Sequence, residues 1–358
     1  MSTKERIIVG MSGGVDSSVT AALMRDQGHQ VSGLFMKNWE EDDNGKCSSK
    51  NDYDDAKRVC KKLNIKLYSI NFSDIYWDLV FKKFLSKLKS GITPNPDILC
   101  NKEIKFNYFL KYGLSLGFDK VATGHYAKLK NAKKIMTLNI PKDKQKDQTH
   151  FLYILNQKIM KKILFPLANI TKEEVKDYAK SLDIKIYNKK ESMGICFIGK
   201  RNFSGFIKDY IYNSPGFVVD LSGNVLGKHN GLFNYTIGQR KGIKIGGQKN
   251  FLSKPWFVIK KDVDRNVLIV SQNENELFYK GNINLESVNW ISPTKTKIKC
   301  EIRFRHGGKL MPGEVSRRDK NYIIKLEKKE RAITPGQSAV FYRNGECLGG
   351  GIVAKLNP

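Results

Sequence analysis

The chain has 358 residues, a formal net charge of +28, and apolar and charged fractions of 40% and 27%. Those fractions exclude an unstructured chain, the length predicts two or three domains with cores of their own, and no run of about 18 apolar residues exists to cross a bilayer. The positive surplus points to a polyanion such as nucleic acid, with compositional drift towards lysine as the competing explanation.

In chain order, residues 1–6 lead directly into an apolar strand and lack the layout of a signal peptide, so a cytoplasmic location is expected. Strands are predicted at 6–11, 30–36, 66–70 and 120–123, alternating with helices at 17–27, 52–63, 75–89 and 101–116. This alternation is the pattern of an α/β domain built on a parallel sheet. Gly28 suits the left-handed end of the first helix. Further helices are expected at 151–162 and 172–182, the second opened by Thr171 with Glu174 in capping-box spacing. The α/β domain is expected to occupy 1–213. After Ser214-Pro215-Gly216 short β runs alternate with glycine-rich turns, which predicts a small β-rich linking domain at 214–280. Apolar runs at 298–304, 322–326, 339–342 and 350–353 predict a C-terminal β-barrel at 281–358.

The strongest local motif is Ser12-Gly13-Gly14-Val15-Asp16-Ser17-Ser18, between the first strand and the first helix. Glycines let the backbone approach a phosphate, and free amides at a helix start, reinforced by the helix dipole, favour an anion. Asp16 is a candidate ligand for a magnesium ion bridging such phosphates. The segment has neither the lysine of the ordinary triphosphate loop nor the three spaced glycines of the dinucleotide fingerprint. It resembles instead the pyrophosphate loop of N-type ATP pyrophosphatases, which implies cleavage of ATP to AMP and pyrophosphate. A plain Gly-Gly turn accounts less well for glycines, hydroxyls and a carboxylate gathered at a strand's carboxyl end, where α/β sheets bind ligands. Met36, ending the second strand, reads as core on its own and as a neighbour of adenine if a nucleotide binds.

The cysteines, at 47, 60, 100, 196, 300 and 347, form no Cys-x-x-Cys pair, which excludes a zinc knuckle and a secreted disulfide framework. Cys60, Cys300 and Cys347 read as small buried hydrophobes, and Cys47 follows an acidic run that disfavours the thiolate. Cys100 is expected at a helix start after the proline-stiffened Thr93-Pro94-Asn95-Pro96-Asp97, where the dipole, Lys102 and Lys105 favour the nucleophilic thiolate. Cys196 lies between Gly194 and Gly199, a setting suited to a mobile carrier thiol. Lys142, Lys144 and Lys146, and Arg303 with Arg305 alternating along one strand, are candidate phosphate stripes or plain solvated surface.

Together with Phe35-Met36-Lys37-Asn38-Trp39, Ala122-Thr123-Gly124-His125-Tyr126, Lys146-Asp147-Gln148, Gly238-Gln239-Arg240-Lys241-Gly242 and Thr334-Pro335-Gly336-Gln337-Ser338, these segments resemble the bacterial tRNA-specific 2-thiouridylases along the whole chain. The resemblance implies an adenine nucleotide alpha-hydrolase-like N-terminal domain. It implies that Gly10, Met11, Ser12, Gly13, Gly14, Val15, Asp16 and Ser17, with Met36 and Gly124, hold ATP. Asn95, Pro96 and Asp97 would contact the target base, although ordinary turn chemistry is the alternative for them. His125, Lys146, Asp147, Gln148, Arg303, Phe304 and Gln337 would contact tRNA. Cys100 would be the nucleophile and Cys196 the persulfide carrier, the two ending as a disulfide. Implied partners are the tRNAs for Lys, Glu and Gln and a sulfur donor, either a cysteine desulfurase or a relay protein. Glu191 stands where Asp is common, Thr149-His150 where Ser-Tyr is usual, and His306 where Gln is frequent. Two other classes stay open on the residues alone: an adenylating enzyme that forms an amide with structural cysteines, and an RNA-binding protein whose glycine loop is only a turn.

Overall fold

The computed structural model describes residues 4–39, 49–189, 203–212, 214–245, 254–279, 281–293, 296–319, 321–354 and 356. Its first strands are β1 (Arg6–Met11), β2 (Gln30–Lys37), β3 (Lys66–Asn71), β4 (Lys120–Ala122), the hairpin β5 (Lys128–Ala132) and β6 (Ile135–Asn139), and β7 (Ile163–Leu164). All except the hairpin form one parallel sheet in the order β3-β2-β1-β4-β7. Both faces of such a sheet are covered, and the side chains of β1 divide between them. Ile7, Val9 and Met11 pack with the helices at Val15–Asp26, Ser49–Lys62 and Lys172–Ser181. Ile8 joins the opposite cluster with Tyr76, Val80, Phe109 and Leu110. The predicted parallel α/β architecture is therefore present.

Two expected helices differ from the sequence pattern. The helix expected at 101–116 runs over 96–115, with widened π turns at Cys100–Phe109. Its earlier start follows from Asn95, whose Oδ1 accepts the Asp97 and Ile98 amides at 3.0 and 3.4 Å, and from Pro96 at the first helical position. The helix expected at 151–162 is instead a 3-10 turn at Thr149–Phe151 and a single helical turn at Gln157–Met160, because Asn156 caps the latter through the Ile159 amide. The capping box of Thr171 and Glu174 forms as expected. Strand β7, two residues long, is too short to leave a pattern in the sequence.

The remaining strands are β8 (Pro215–Val219), β9 (Val225–Asn230), β10 (Phe257–Asp262), β11 (Val267–Ser271), β12 (Phe278–Tyr279), β13 (Asn282–Trp290), β14 (Lys297–Arg303), β15 (Met311–Arg318), β16 (Asn321–Leu326), β17 (Glu330–Arg331), β18 (Ser338–Arg343) and β19 (Glu346–Val353). A four-stranded sheet ordered β10-β11-β8-β9 builds the middle unit around Val218, Val258, Leu268 and Val270. The order β13-β16-β15-β14-β18-β19 closes into a barrel through the β13–β19 pairing. The small β-rich unit and the C-terminal barrel expected from sequence are both present.

The sequence did not announce that β6 pairs with the start of β19, joining Asn139 to Glu346 and Leu138 to Cys347. The β5–β6 turn places Lys133 and Lys134 at φ of 52° and 71°, positions usually taken by Asn or Gly, so the usual hairpin signal is missing. Around this seam Leu138, Val340, Tyr342 and Cys347 share a core with the helical residues Val80, Phe106 and Phe109. Among the described residues no helix is long and apolar enough to cross a membrane.

Candidate nucleotide and cysteine site

The chain leaves β1 towards β2 and β3 on one side and returns to β4 on the other, so the crevice at the carboxyl ends of β1 and β4 is the switch point of the sheet. Ser12, Gly13 and Gly14 follow β1 there, and Thr123 and Gly124 follow β4. Gly14 is the N-cap of the first helix, with extended backbone and no side-chain cap, so no side chain competes for the first amides. Gly13 has φ of 70°, and a Cβ on it would stand 2.3 Å from the Asp52 carbonyl oxygen. Gly124 approaches the same helix so closely that a Cβ would lie 3.0 Å from the Ser17 nitrogen. The Ser17 hydroxyl accepts from the Ser12 amide at 3.2 Å and donates to the Gly14 carbonyl at 3.0 Å, which braces the loop from within. Open amides, bare glycines and a helix N-terminus at one crevice fit the phosphates of ATP.

Asp16 is more committed than its sequence position suggested. Its Oδ1 accepts from Lys172 Nζ at 2.6 Å and from the Tyr126 hydroxyl at 2.9 Å. The Lys172 side chain is 9% exposed and that of Asp16 31%, so the pair is half-buried, with the lysine end enclosed. Among the described residues no cluster of three His, Cys, Asp or Glu side chains is arranged to hold a metal. Asp16 is the loop carboxylate that could hold a metal ion accompanying a nucleotide. Sequence reasoning missed Lys172. The available signal was a lysine at the first position of a capped helix, where the helix dipole disfavours a cation unless an acid waits nearby.

The helix carrying Cys100 lies along β1. Phe109 stands against Gly10 and Gly113 against Ile8, so this helix runs antiparallel to the strand. Cys100, nine residues before Phe109, therefore lies on the side of the carboxyl edge of the sheet, towards which Phe106 of the same helix packs on His125. It is the fifth residue of the helix and not its start, so the dipole acts on it less than expected. Its side chain is buried. Beside it, Asn101 donates to the Phe151 carbonyl at 3.1 Å, while its buried Oδ1 has no partner among the described residues. Cys196, Cys47 and Glu191 lie outside the described residues. Burial pushes the thiols of Cys60 and Cys300 up to about 12 and raises that of Cys347 as well, in keeping with structural roles.

The residues expected on tRNA divide into two groups. Near the cysteine helix, Asn95 is spent on capping, Pro96 is buried, and Asp97 is a half-buried carboxyl whose pKa burial raises against the pull of Lys105 and His306. Met36 packs at the edge of the same core. His125 lies inside, between Phe106 and Phe165, with Nδ1 2.8 Å from the Thr123 hydroxyl. Desolvation and Lys105 hold it well below the usual histidine range, so it is neutral.

In the second group, Asp147 with Arg303 and Gln337 with Thr93 join the α/β part to the barrel. Asp147, 3% exposed, meets Arg303 Nη1 at 2.6 Å, and Arg303 in turn covers the Tyr342 ring. Its other oxygen accepts the Thr149 amide and hydroxyl at 3.0 and 2.6 Å. Gln148 accepts from the Tyr126 amide, Gln337 donates to the Thr93 carbonyl, and Phe304 is buried. The arginines of the expected stripe have partners within the protein: Arg303 meets Asp147, and Arg305, its side chain half exposed, meets Glu330 at 3.3 Å. Strand alternation put both arginines on one face, but it carried no information about acids arriving from elsewhere in the chain. Lys142 likewise pairs with Glu174 at 2.7 Å, whereas Lys144 is exposed. Lys146 is half-buried, its amide donating to Asp143.

His150, at the same joint, is 1% exposed, and its Nδ1 has no partner among the described residues. Desolvation first, then His306 and Arg303, lower its pKa to about 3. Between that value and the unfolded value of about 6.5 the unfolded chain binds the extra proton, so stability falls as pH falls through this window. Replacing His150 with Leu should flatten the acid limb of urea-unfolding free energy by up to about 1.4 kcal/mol per pH unit. An unchanged slope would contradict the buried neutral imidazole.

Three family models match consecutive stretches of the chain: the tRNA methyl transferase HUP domain over residues 5–200, the tRNA methyl transferase PRC-barrel domain over 204–272, and the aminomethyltransferase beta-barrel domain over 280–353. A relative from Pseudomonas fluorescens, named tRNA-specific 2-thiouridylase MnmA, is 46% identical over 98% of this chain and 95% of its own length. Another of that name, from Buchnera aphidicola, is 47% identical over 99% of this chain and 98% of its own. Likeness at this level, end to end and across all three architectural units, means that the chain belongs to the tRNA-specific 2-thiouridylase family.

Proposed function

We propose that this protein makes 2-thiouridine in tRNA, adenylating the 2-carbonyl oxygen of the wobble uridine with ATP and then replacing that oxygen with sulfur from a persulfide on Cys196. Family membership supports the reading, and so does the packing of the Cys100 helix along β1, the strand that leads into the phosphate loop. A uracil oxygen is a poor leaving group. Its attack on the α-phosphate of ATP expels pyrophosphate, and the resulting adenylate later leaves as AMP. Loop amides aimed at the phosphates stabilise the charge that develops, and a magnesium ion accompanying ATP would add to this.

The terminal sulfur of the Cys196 persulfide is then delivered to C2, and two routes are open. In one route AMP leaves and Cys100 frees the thiolated base by bonding to the Cys196 sulfur; in the other Cys100 first releases hydrosulfide, which attacks. Both routes end with a Cys100–Cys196 disulfide and both need an external thiol to reset it. A wobble uridine lies in a single-stranded loop and is extruded at low unstacking cost. The reading extends to tRNAs for Lys, Glu and Gln as substrates, a cysteine desulfurase or relay protein as sulfur donor, and a cytoplasmic location. It divides the chain into a catalytic domain at 1–213, a linking domain at 214–280 and the barrel at 281–358.

Purified protein mixed with ATP and unmodified tRNA should release pyrophosphate only when the tRNA carries uridine at the wobble position. Release that ignores that base, or none at all, would overturn the proposal.

A further inference from the structure

Residues 10–18 contain no basic side chain, although the loop they form is read above as the seat of a triphosphate. Two ammonium groups reach it from far along the chain. Lys172 is committed to Asp16. Lys189 instead grips the backbone: Nζ donates to the Gly13 carbonyl oxygen at 3.0 Å, to Asp52 Oδ1 at 2.7 Å and to Asp55 Oδ2 at 2.5 Å. Its three hydrogens thus have three acceptors. The two carboxylates belong to the helix Ser49–Lys62, whose Asp52 backbone is also what a side chain at Gly13 would strike. Desolvation disfavours the charge on Lys189, but the bonds to Asp52 and Asp55 outweigh it and its pKa is raised. The clamp therefore stays cationic at neutral pH.

In a planar trans peptide the carbonyl and the following N–H point in opposite directions. Fastening the Gly13 carbonyl to Lys189 consequently turns the Gly14 N–H the other way, and that N–H meets no acceptor among the described residues. A Gly-Gly unit has little intrinsic preference and rotates readily unless something holds it. We propose that Lys189 is a positioning residue of the phosphate loop, which by pinning the Gly13 carbonyl against Asp52 and Asp55 aims the Gly14 amide at the phosphates of the nucleotide. This assignment rests on the ATP reading above. Nothing in the local sequence around 12–18 reveals it, because the clamp comes from 176 residues away.

The test is equilibrium binding of ATP, inorganic pyrophosphate and adenosine to the full-length protein and to its Lys189→Met and Lys189→Arg variants. A clamp acting through the phosphates predicts that Lys189→Met weakens ATP and pyrophosphate about tenfold, equivalent to about 1.4 kcal/mol, and adenosine less than about twofold. Lys189→Arg keeps the charge and the donors, so it should remain within about threefold of the wild type. An unchanged ATP affinity in Lys189→Met, an equal loss for all three probes, or an arginine variant as weak as the methionine one overturns the assignment. A wild-type protein that binds neither ATP nor pyrophosphate would remove the nucleotide reading itself, a different failure from a wild type that binds both and a variant that binds them equally well.

Discussion

Serine in place of Cys196 should eliminate 2-thiouridine from tRNA, and serine in place of Cys100 should do the same, each lowering thiolation by about 10³ or more because a hydroxyl can neither hold a persulfide nor resolve one. Nucleoside mass spectrometry of tRNA from cells lacking this protein, complemented by each variant, reads the effect directly. Pyrophosphate release should survive in both variants, since adenylation precedes any use of sulfur. Cys300→Ala should leave thiolation intact, because burial pushes that thiol to about 12 and keeps it protonated. Normal 2-thiouridine with Cys196→Ser would remove Cys196 as the persulfide carrier, whereas unchanged 2-thiouridine in the uncomplemented cells would remove the sulfur chemistry and favour an adenylating enzyme that forms an amide.

The second large effect concerns stability. Arg303 and Asp147 have side chains only 12% and 3% exposed, and the Arg303 Nε has no partner among the described residues. Removing one member leaves the other buried and uncompensated, which costs about 3–5 kcal/mol. Arg303→Met and Asp147→Asn should therefore each lower the urea midpoint strongly. The double variant Asp147→Leu with Arg303→Met should recover part of the loss, because no lone charge remains. By contrast, Lys62 and Asp183, paired at 2.6 Å with both side chains well exposed, should contribute little, because water and salt screen such a pair. A cost below about 1 kcal/mol for Arg303→Met would show that the joint opens readily to water.

What the sequence disclosed and what it withheld follow from the range of the interactions involved. Alternating apolar runs marked β1 to β4 because a strand covered on both faces needs continuous apolar side chains, and the Ser12–Ser18 segment stood out because its glycines and hydroxyls are adjacent. The start of the Cys100 helix was misread since Pro94 and Pro96 look like loop, whereas Asn95 followed by Pro is also a helix opening. Lys172 on Asp16, Lys189 on Gly13 and Arg303 on Asp147 join residues more than 150 positions apart, and no local pattern records such meetings. The resemblance named most of the site's residues. It did not disclose that several of those expected on tRNA, His125, Asp147 and Arg303 among them, are held inside the fold.

The hairpin β5–β6 sets a rule for recombining this chain with a relative. One edge of β19 is shared, its first residues bonded to β6 and the rest to β13. A transplanted barrel would arrive with backbone donors and acceptors that the host's own hairpin must meet in register. Moving residues 128–139 together with the barrel keeps both halves of that seam from one parent, whereas a graft cut at 281 alone leaves them mismatched.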